Sequence, residues 1–256
     1  MIIPVERISD FMRKHKRRIR KKDIIKCRIL IISLIFSLTF ILTIGYSAFS
    51  TNINLSAKGN ITKTPSSCFN VFDNGDGTGT ITDYDVDTCG TKVVIPEKIN
   101  NLIITRIGDT GSATNVELFS NKNITSLIFP DTLEYIGSCS CVKLMAKNII
   151  IPSKVKTISN HAFAWGNIET VTLPEGLETI RVGAFETNRL KSLKIPSTVK
   201  NMTESIAAGN FIEGDEAFIY ARDENSNIDK SNLVSFGDRG RTEIIIPDTV
   251  ETIGVY

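Results

Sequence analysis

IPSKVKTISNHAFAWGNIETVTLP, residues 151–174, shares its last two residues with LPEGLETIRVGAFETNRLKSLKIP, residues 173–196. With Pro152 laid on Pro174, the two segments agree column by column. The agreement extends outward, because Pro130, Pro152, Pro174 and Pro196 stand 22, 22 and 22 residues apart. One residue before each proline come Phe129, Ile151, Leu173 and Ile195, with Ile246 before Pro247. Three before are Leu127, Ile149, Val171, Leu193 and Ile244. Three after are Leu133, Val155, Leu177, Val199 and Val250, and six after are Ile136, Ile158, Ile180, Met202 and Ile253. Ala162-Phe163 and Ala184-Phe185 fall ten and eleven after, and Ile168, Leu190 and Ile212 sixteen after, with Ala146 as the small member.

One coil of this length cannot bury its own apolar side. Stacking coils turns each column into a ladder and the interior into one continuous core. A period in this range with Leu/Ile columns reads as a leucine-rich solenoid. The L-x-[IL]-P stretch alternates in and out, so it is expected as a strand paired in parallel with the same stretch of adjacent coils. Proline ends that strand and cannot donate to the ladder. V-x-x-I is expected as a second short extended segment. The expected fold is therefore mostly β: a leucine-rich-repeat solenoid with parallel strands of period 22, preceded by a β-hairpin and a single N-terminal transmembrane helix.

The motif I/L-x-x-L-x-I-P-x-x-V-x-x-I-x-x-x-A-F resembles the BspA-type leucine-rich repeat of bacterial and protist surface proteins, over residues 91–200 and 241–256. Val93-Val94-Ile95-Pro96 with Ile104-Thr105-Arg106-Ile107-Gly108 is similar to that family's opening repeat, which often follows a Cys-bearing hairpin. Departures are Ser140-Cys141 and Ile206-Ala207 where the pattern has Ala-Phe. Pro247 follows Pro196 by 51 residues, so residues 213–243 read as an inserted hairpin with strands at 217–220 and 233–236, and 244–256 as an incomplete terminal repeat. The resemblance implies adhesion or interaction and not catalysis.

The chain has 256 residues and a net charge of +2 that hides an asymmetry. Residues 1–28 hold 11 Lys/Arg against 3 Asp/Glu, net +8, and the rest 19 against 25, net −6. The positive charge sits in a leader and not on a folded face, so nucleic acid is not an expected partner. Residues 29–49 carry no charge and no proline. A helix needs about 20 apolar residues to span a bilayer, so 29–49 is expected as a transmembrane or signal-anchor helix. Clustered Lys/Arg stays cytoplasmic. Residues 1–28 are then a basic cytoplasmic head, and the domain beyond is outside the membrane. It is single-pass and anchored, or secreted if the leader is cut. Residues 50–67 read as a spacer.

Residues 68–110 read as a hairpin with the opening repeat, and 111–212 as the repeats proper. Asp73-Asn74-Gly75-Asp76-Gly77 lies between two alternating stretches, which argues for a hairpin turn. A calcium loop would need oxygen ligands where Gly75 and Gly77 stand. Cys68 and Cys89 flank the hairpin and are either joined or two free thiols. Cys139 and Cys141 lack third and fourth ligands of suitable spacing, so no metal and no cofactor is expected.

Ser153 and Ser197 each open an S-x-x-K match, and both follow a repeat proline. The repeat explains them, and no catalytic residue is expected. His161 reads as a coil histidine. The outward positions between columns remain: Thr125, Ser126 and Ile128; Lys147, Asn148 and Ile150; Glu169, Thr170 and Thr172; Lys191, Ser192 and Lys194. Neighbouring coils set these in rows about 4.8 Å apart, which suits an extended partner. The expected function is non-enzymatic cell-surface binding of an extracellular protein or glycan through this face. The alternative is a structural stalk or envelope component without a specific ligand.

Overall fold

A computed structural model of the chain describes residues 62–110, 118–223, 225–237, 239–240 and 242–254. The basic head, the expected transmembrane helix over 29–49 and the spacer as far as Ile61 lie outside the described residues. Among the described residues no helix is long and apolar enough to cross a membrane.

The first strands are β1 (Phe69–Asp73) and β2 (Thr78–Tyr84), an antiparallel hairpin. Its turn is closed by its own side chains: Asp76 accepts from the Thr78 amide at 2.9 Å and Asp73 from the Gly75 amide at 2.8 Å. A single helical turn, α1 (Val86–Cys89), follows, capped by Asp85, whose carboxylate accepts from the Thr88 amide. Cys68 and Cys89 form a disulfide that ties the start of β1 to the end of α1. Next come β3 (Lys92–Val94), β4 (Lys98–Ile99) and β5 (Leu102–Ile107). β2 lies parallel to β5, so the hairpin joins the first coil as an added strand.

The later coils contribute short strands of two sets, one before the proline and one after it. The first set is β6 (Ser126–Ile128), β8 (Asn148–Ile150) and β10 (Thr170–Thr172); the second is β7 (Tyr135–Ile136), β9 (Thr157–Ile158), β11 (Thr179–Ile180) and β12 (Asn201–Met202). All these pairings are parallel. From β7 and β8 onward they keep the 22-residue register, as where Ile149 opposes Val171, while the first coil is longer and Leu127 opposes Val93 across 34 residues. The V-x-x-I side forms the longer ladder. It runs β1-β2-β5-β7-β9-β11-β12 without a break, whereas the strands before the prolines pair only as β3 with β6 and β8 with β10, and Leu193-Lys194-Ile195 is not a strand. Proline ends each strand of the first set, since it cannot donate to the ladder.

The columns are the core. Ile107, Ile136, Ile158 and Ile180 are stacked through β5, β7, β9 and β11 with no exposed surface. Leu133, Val155, Leu177 and Val199 form a second such ladder. Phe163 and Phe185 stack with ring centres 5.5 Å apart and planes 4° from parallel, and Phe129 meets Phe163 edge-on. Ser140 and Cys141 are fully buried in the places of Ala-Phe. Ile253, in the last described coil, is 48% exposed.

A third side closes each coil. Cys139, His161, Gly183 and Ser205, one coil apart, all hold positive φ, and so do Lys143, Trp165, Thr187 and Gly209. Between these bends the amides of His161, Phe163 and Trp165 each donate at 2.8 Å to the carbonyls of Val182, Ala184 and Glu186 in the next coil. Such conformations are uncommon for residues other than glycine, and the inter-coil bonds hold them. Glycine at 183 makes room for the preceding coil: a Cβ there would run into Nδ1 of His161.

The inserted hairpin is longer than the sequence suggests. β13 (Phe218–Arg222) and β14 (Ile228–Phe236) are antiparallel, so residues 228–232, which precede the expected second strand, are strand as well. β14 also pairs in parallel with β15 (Thr252–Ile253), and the Val234 carbonyl accepts from the Ser205 amide. The insertion thus continues the stacking in place of a coil.

Candidate functional site

The strands before the prolines present every second side chain outward, because side chains alternate along a strand. Thr125, Lys147, Asn148, Thr170, Thr172, Lys191, Ser192 and Lys194 are exposed, and Ser126 and Glu169 are half-buried. Ile128 is 40% exposed and Ile150 71%, on the neighbouring strands β6 and β8. Pairing of β3 with β6 extends the face by one coil, setting Lys92 beside Ser126 and Val94 beside Ile128.

Several of these side chains bind one another across coils. Lys147 Nζ contacts Glu169 Oε1 at 2.9 Å. The Thr170 hydroxyl donates to Asn148 Oδ1 at 2.6 Å, and the hydroxyls of Thr91 and Thr125 lie 3.2 Å apart. The Lys147 hydrogen bond holds the Glu169 carboxyl below the usual glutamate range. The row before each strand is therefore fixed in register, while both isoleucines project from it.

The other chemical candidates are placed as follows. Ser153 and Ser197 are exposed at the corner after their prolines. Lys156, the lysine of the first S-x-x-K, binds Glu178 at 2.9 Å and the Gly176 carbonyl at 3.1 Å. His161 stacks on Trp165 at 5.2 Å, with Nδ1 3.3 Å from Glu186 Oε2. Cys141 is buried, which pushes its thiol up to about 12. Among the described residues no group of three His, Cys, Asp or Glu side chains is placed to hold a metal. A cleft of about 460 Å³ beside β12 and β13 is lined by Arg181, Lys200 and Arg222. Arg222 spends its guanidinium on the carbonyls of Ser226 and Pro196.

Sequence reasoning did not single out the edge next to the strand face. Met145, Trp165 and Phe211 are exposed there, at 44%, 44% and 37%. Arg239 lies over the Phe211 ring at 4.9 Å. The signal was present but not repeated: Asn123, Met145, Asn167, Arg189 and Phe211 occupy one column at the 22-residue period and share no chemistry.

No curated protein matches the chain. The solved structure of a leucine rich cell surface protein from Faecalibacterium prausnitzii A2-165 is similar at 17% identity and a TM-score of 0.36, over 75% of this chain and 66% of that one. This chain therefore spans about two thirds of that protein's length. The model of the BspA type leucine rich repeat region matches residues 91–213 in six copies. The match takes in β3 to β12, the strands that carry the buried columns. Residues 91–213 of this chain belong to the BspA-type leucine-rich repeat family.

Proposed function

We propose that the protein is a non-enzymatic extracellular binding protein whose strand face, from Thr125 to Lys194, receives an extended protein or glycan ligand. The observation that carries this reading is the pair Ile128 and Ile150, exposed at 40% and 71% on adjacent strands amid fixed polar rows. Exposed apolar side chains grouped within a polar rim mark interaction sites. The uncharged run over 29–49 and the basic head before it support a single-pass, outward-facing placement, or secretion if the leader is cut.

A second reading is a stalk without a specific ligand. The cross-coil pairs Lys147–Glu169 and Thr170–Asn148 favour it, because a solvated face satisfies itself in the same way. The test uses the full chain and an Ile128→Lys/Ile150→Lys variant, both immobilised and exposed to extracellular matrix and surface extracts. Retention of one defined ligand by the parent and its loss by the variant support binding through this face. Equal retention by both would remove the strand face from the account, and retention of nothing by the parent favours the stalk.

A further inference from the structure

Two residues upstream of Thr125, Lys147 and Glu169, the coils turn an edge of different character. Trp165, the one tryptophan of the chain, and Met145 are each 44% exposed there. With Asn121, Asn123, Asn167 and Lys143 they line a groove of about 310 Å³. We propose that this groove binds a pyranose unit of a glycan, laid on the indole of Trp165 and hydrogen-bonded by the asparagine amides. The site is separate from the strand face and stands whether or not that face has a partner.

A sugar ring offers a face of C–H groups and a rim of hydroxyls that both donate and accept. The indole offers an electron-rich face to the first, and a carboxamide meets the second with an acceptor oxygen and two donor hydrogens. His161 stacks on the indole at 5.2 Å and 15° and is itself beside Glu186, so the ring is held from one side. The backbone beneath is fixed too. The amides of Lys143, Met145, Trp165 and Asn167 donate to Ala164, Ile124, Glu186 and Leu144 at 2.8–2.9 Å. A groove ordered before the ligand arrives loses little entropy on binding.

The same bonds argue against a peptide. A peptide added as a strand needs free backbone donors along an edge, and these four are already used between coils. Charge argues against a cationic ligand, because no carboxylate lines the groove. Asn167 Nδ2 donates to the Met145 sulfur at 3.2 Å. Thioether sulfur is a weak acceptor, so a sugar hydroxyl displaces it at small cost. The volume sits at the low end of small-molecule sites, which begin at roughly 300 Å³, and fits one or two sugar rings and not a long buried chain.

The lone tryptophan makes the test direct. The full chain, held in a detergent without a sugar headgroup, is titrated with tetrasaccharides of glucose, mannose, galactose and N-acetylglucosamine while indole emission is followed. At least one tetrasaccharide is expected to give a saturable change. Calorimetry with that sugar is then expected to show roughly tenfold or greater loss of affinity in Trp165→Ala, as for a central aromatic contact. A similar loss is expected in Met145→Glu, which alters only an exposed side chain. Ile150→Lys, on the strand face, should bind as the parent does. An unchanged affinity in Met145→Glu and Trp165→Ala, or no saturable response to any of the four sugars, would overturn the proposal.

Discussion

Asn188 and Asn210, one coil apart and both fully buried, make the same hydrogen bonds to successive coils. Asn188 Nδ2 donates to the carbonyls of Phe163 at 2.7 Å and Phe185 at 3.1 Å, and its Oδ1 accepts from the Ile168 amide at 3.2 Å. Asn210 Nδ2 donates to the carbonyls of Phe185 at 2.8 Å and Ala207 at 2.9 Å, and its Oδ1 accepts from the Leu190 amide at 3.0 Å. Each amide satisfies backbone groups of two coils at the bend where the coils' own pairing lapses. Asn188→Ala leaves a buried donor and buried acceptors without partners, at about 1–3 kcal/mol for each such group. The expected loss is about 3 kcal/mol of unfolding free energy in urea, against almost none for the exposed Asn201→Ala. Equal midpoints for the two variants would refute the role. Gly166→Ala should be costly through the same residue, since a Cβ there would lie 2.8 Å from Asn188 Oδ1 and 2.9 Å from the Leu144 carbonyl.

The Phe163–Phe185 stack is the aromatic part of the core. Phe163→Ala should cost about 3–5 kcal/mol, as large-to-small core changes do. Phe163→Leu should cost less, because most of the volume is kept. The stack itself contributes about 0.5–1.5 kcal/mol beyond burial. A double-mutant cycle with Phe185→Leu should return coupling of that order. Additive single losses would mean that the rings act only as filler.

How much of this was legible depends on repetition. The solenoid, its parallel register and the buried columns could be read because each column is held by like residues in coil after coil. Leu133, Val155, Leu177 and Val199 are an example, and all four are fully buried. The left-handed bends could not be read, because Cys139, His161, Gly183 and Ser205 share a backbone conformation and no side-chain property. The dominance of the V-x-x-I ladder was hidden as well: apolar spacing shows which residues point inward but not which side of a coil pairs continuously. The groove at Trp165 was missed because it rests on residues that occur once.

Strong acid should loosen the turn and the cap of the hairpin that precedes the coils. Hydrogen bonds from Thr78 to Asp76, and from Thr88 to Asp85, hold both carboxyls below the ordinary aspartate value of 3.8. A carboxyl with a lowered folded-state pKa contributes stability that is present above its unfolded value and is lost as pH falls through the folded one. The amide resonances of Thr78 and Thr88 should therefore titrate with midpoints below 3.8. Midpoints at or above that value would mean that these turn and cap bonds are not formed in solution.

The Cys68–Cys89 bridge should make the same region redox-dependent. It spans 21 residues, and closing a loop of that order stabilises by roughly 3 kcal/mol in the chain-entropy model. Its loss should fall on β1, β2 and α1. The coils from β7 onward bury Ile136, Ile158 and Ile180 without contribution from the bridge and are expected to stay packed when it is reduced. Hydrogen exchange after reduction is expected to accelerate over residues 66–90 while the amides of Phe163 and Phe185 stay protected. Uniform acceleration along the solenoid would show that the hairpin is needed to hold the stack.

Cys141 offers a readout of the interior. Its side chain is fully buried, and desolvation raises the thiol to about 12. The thiolate is the reactive form, so at pH 8 only about one thiol in ten thousand would be ionised even if reagent could reach it. Alkylation of Cys141 in the native chain should therefore proceed only through opening of the coil that carries it. Its rate should rise steeply with urea. Asn188→Ala, by loosening the stack one coil further on, should raise it at fixed urea as well. A fast alkylation of Cys141 that is indifferent to both would place this thiol outside the ladder that Phe163 and Phe185 continue.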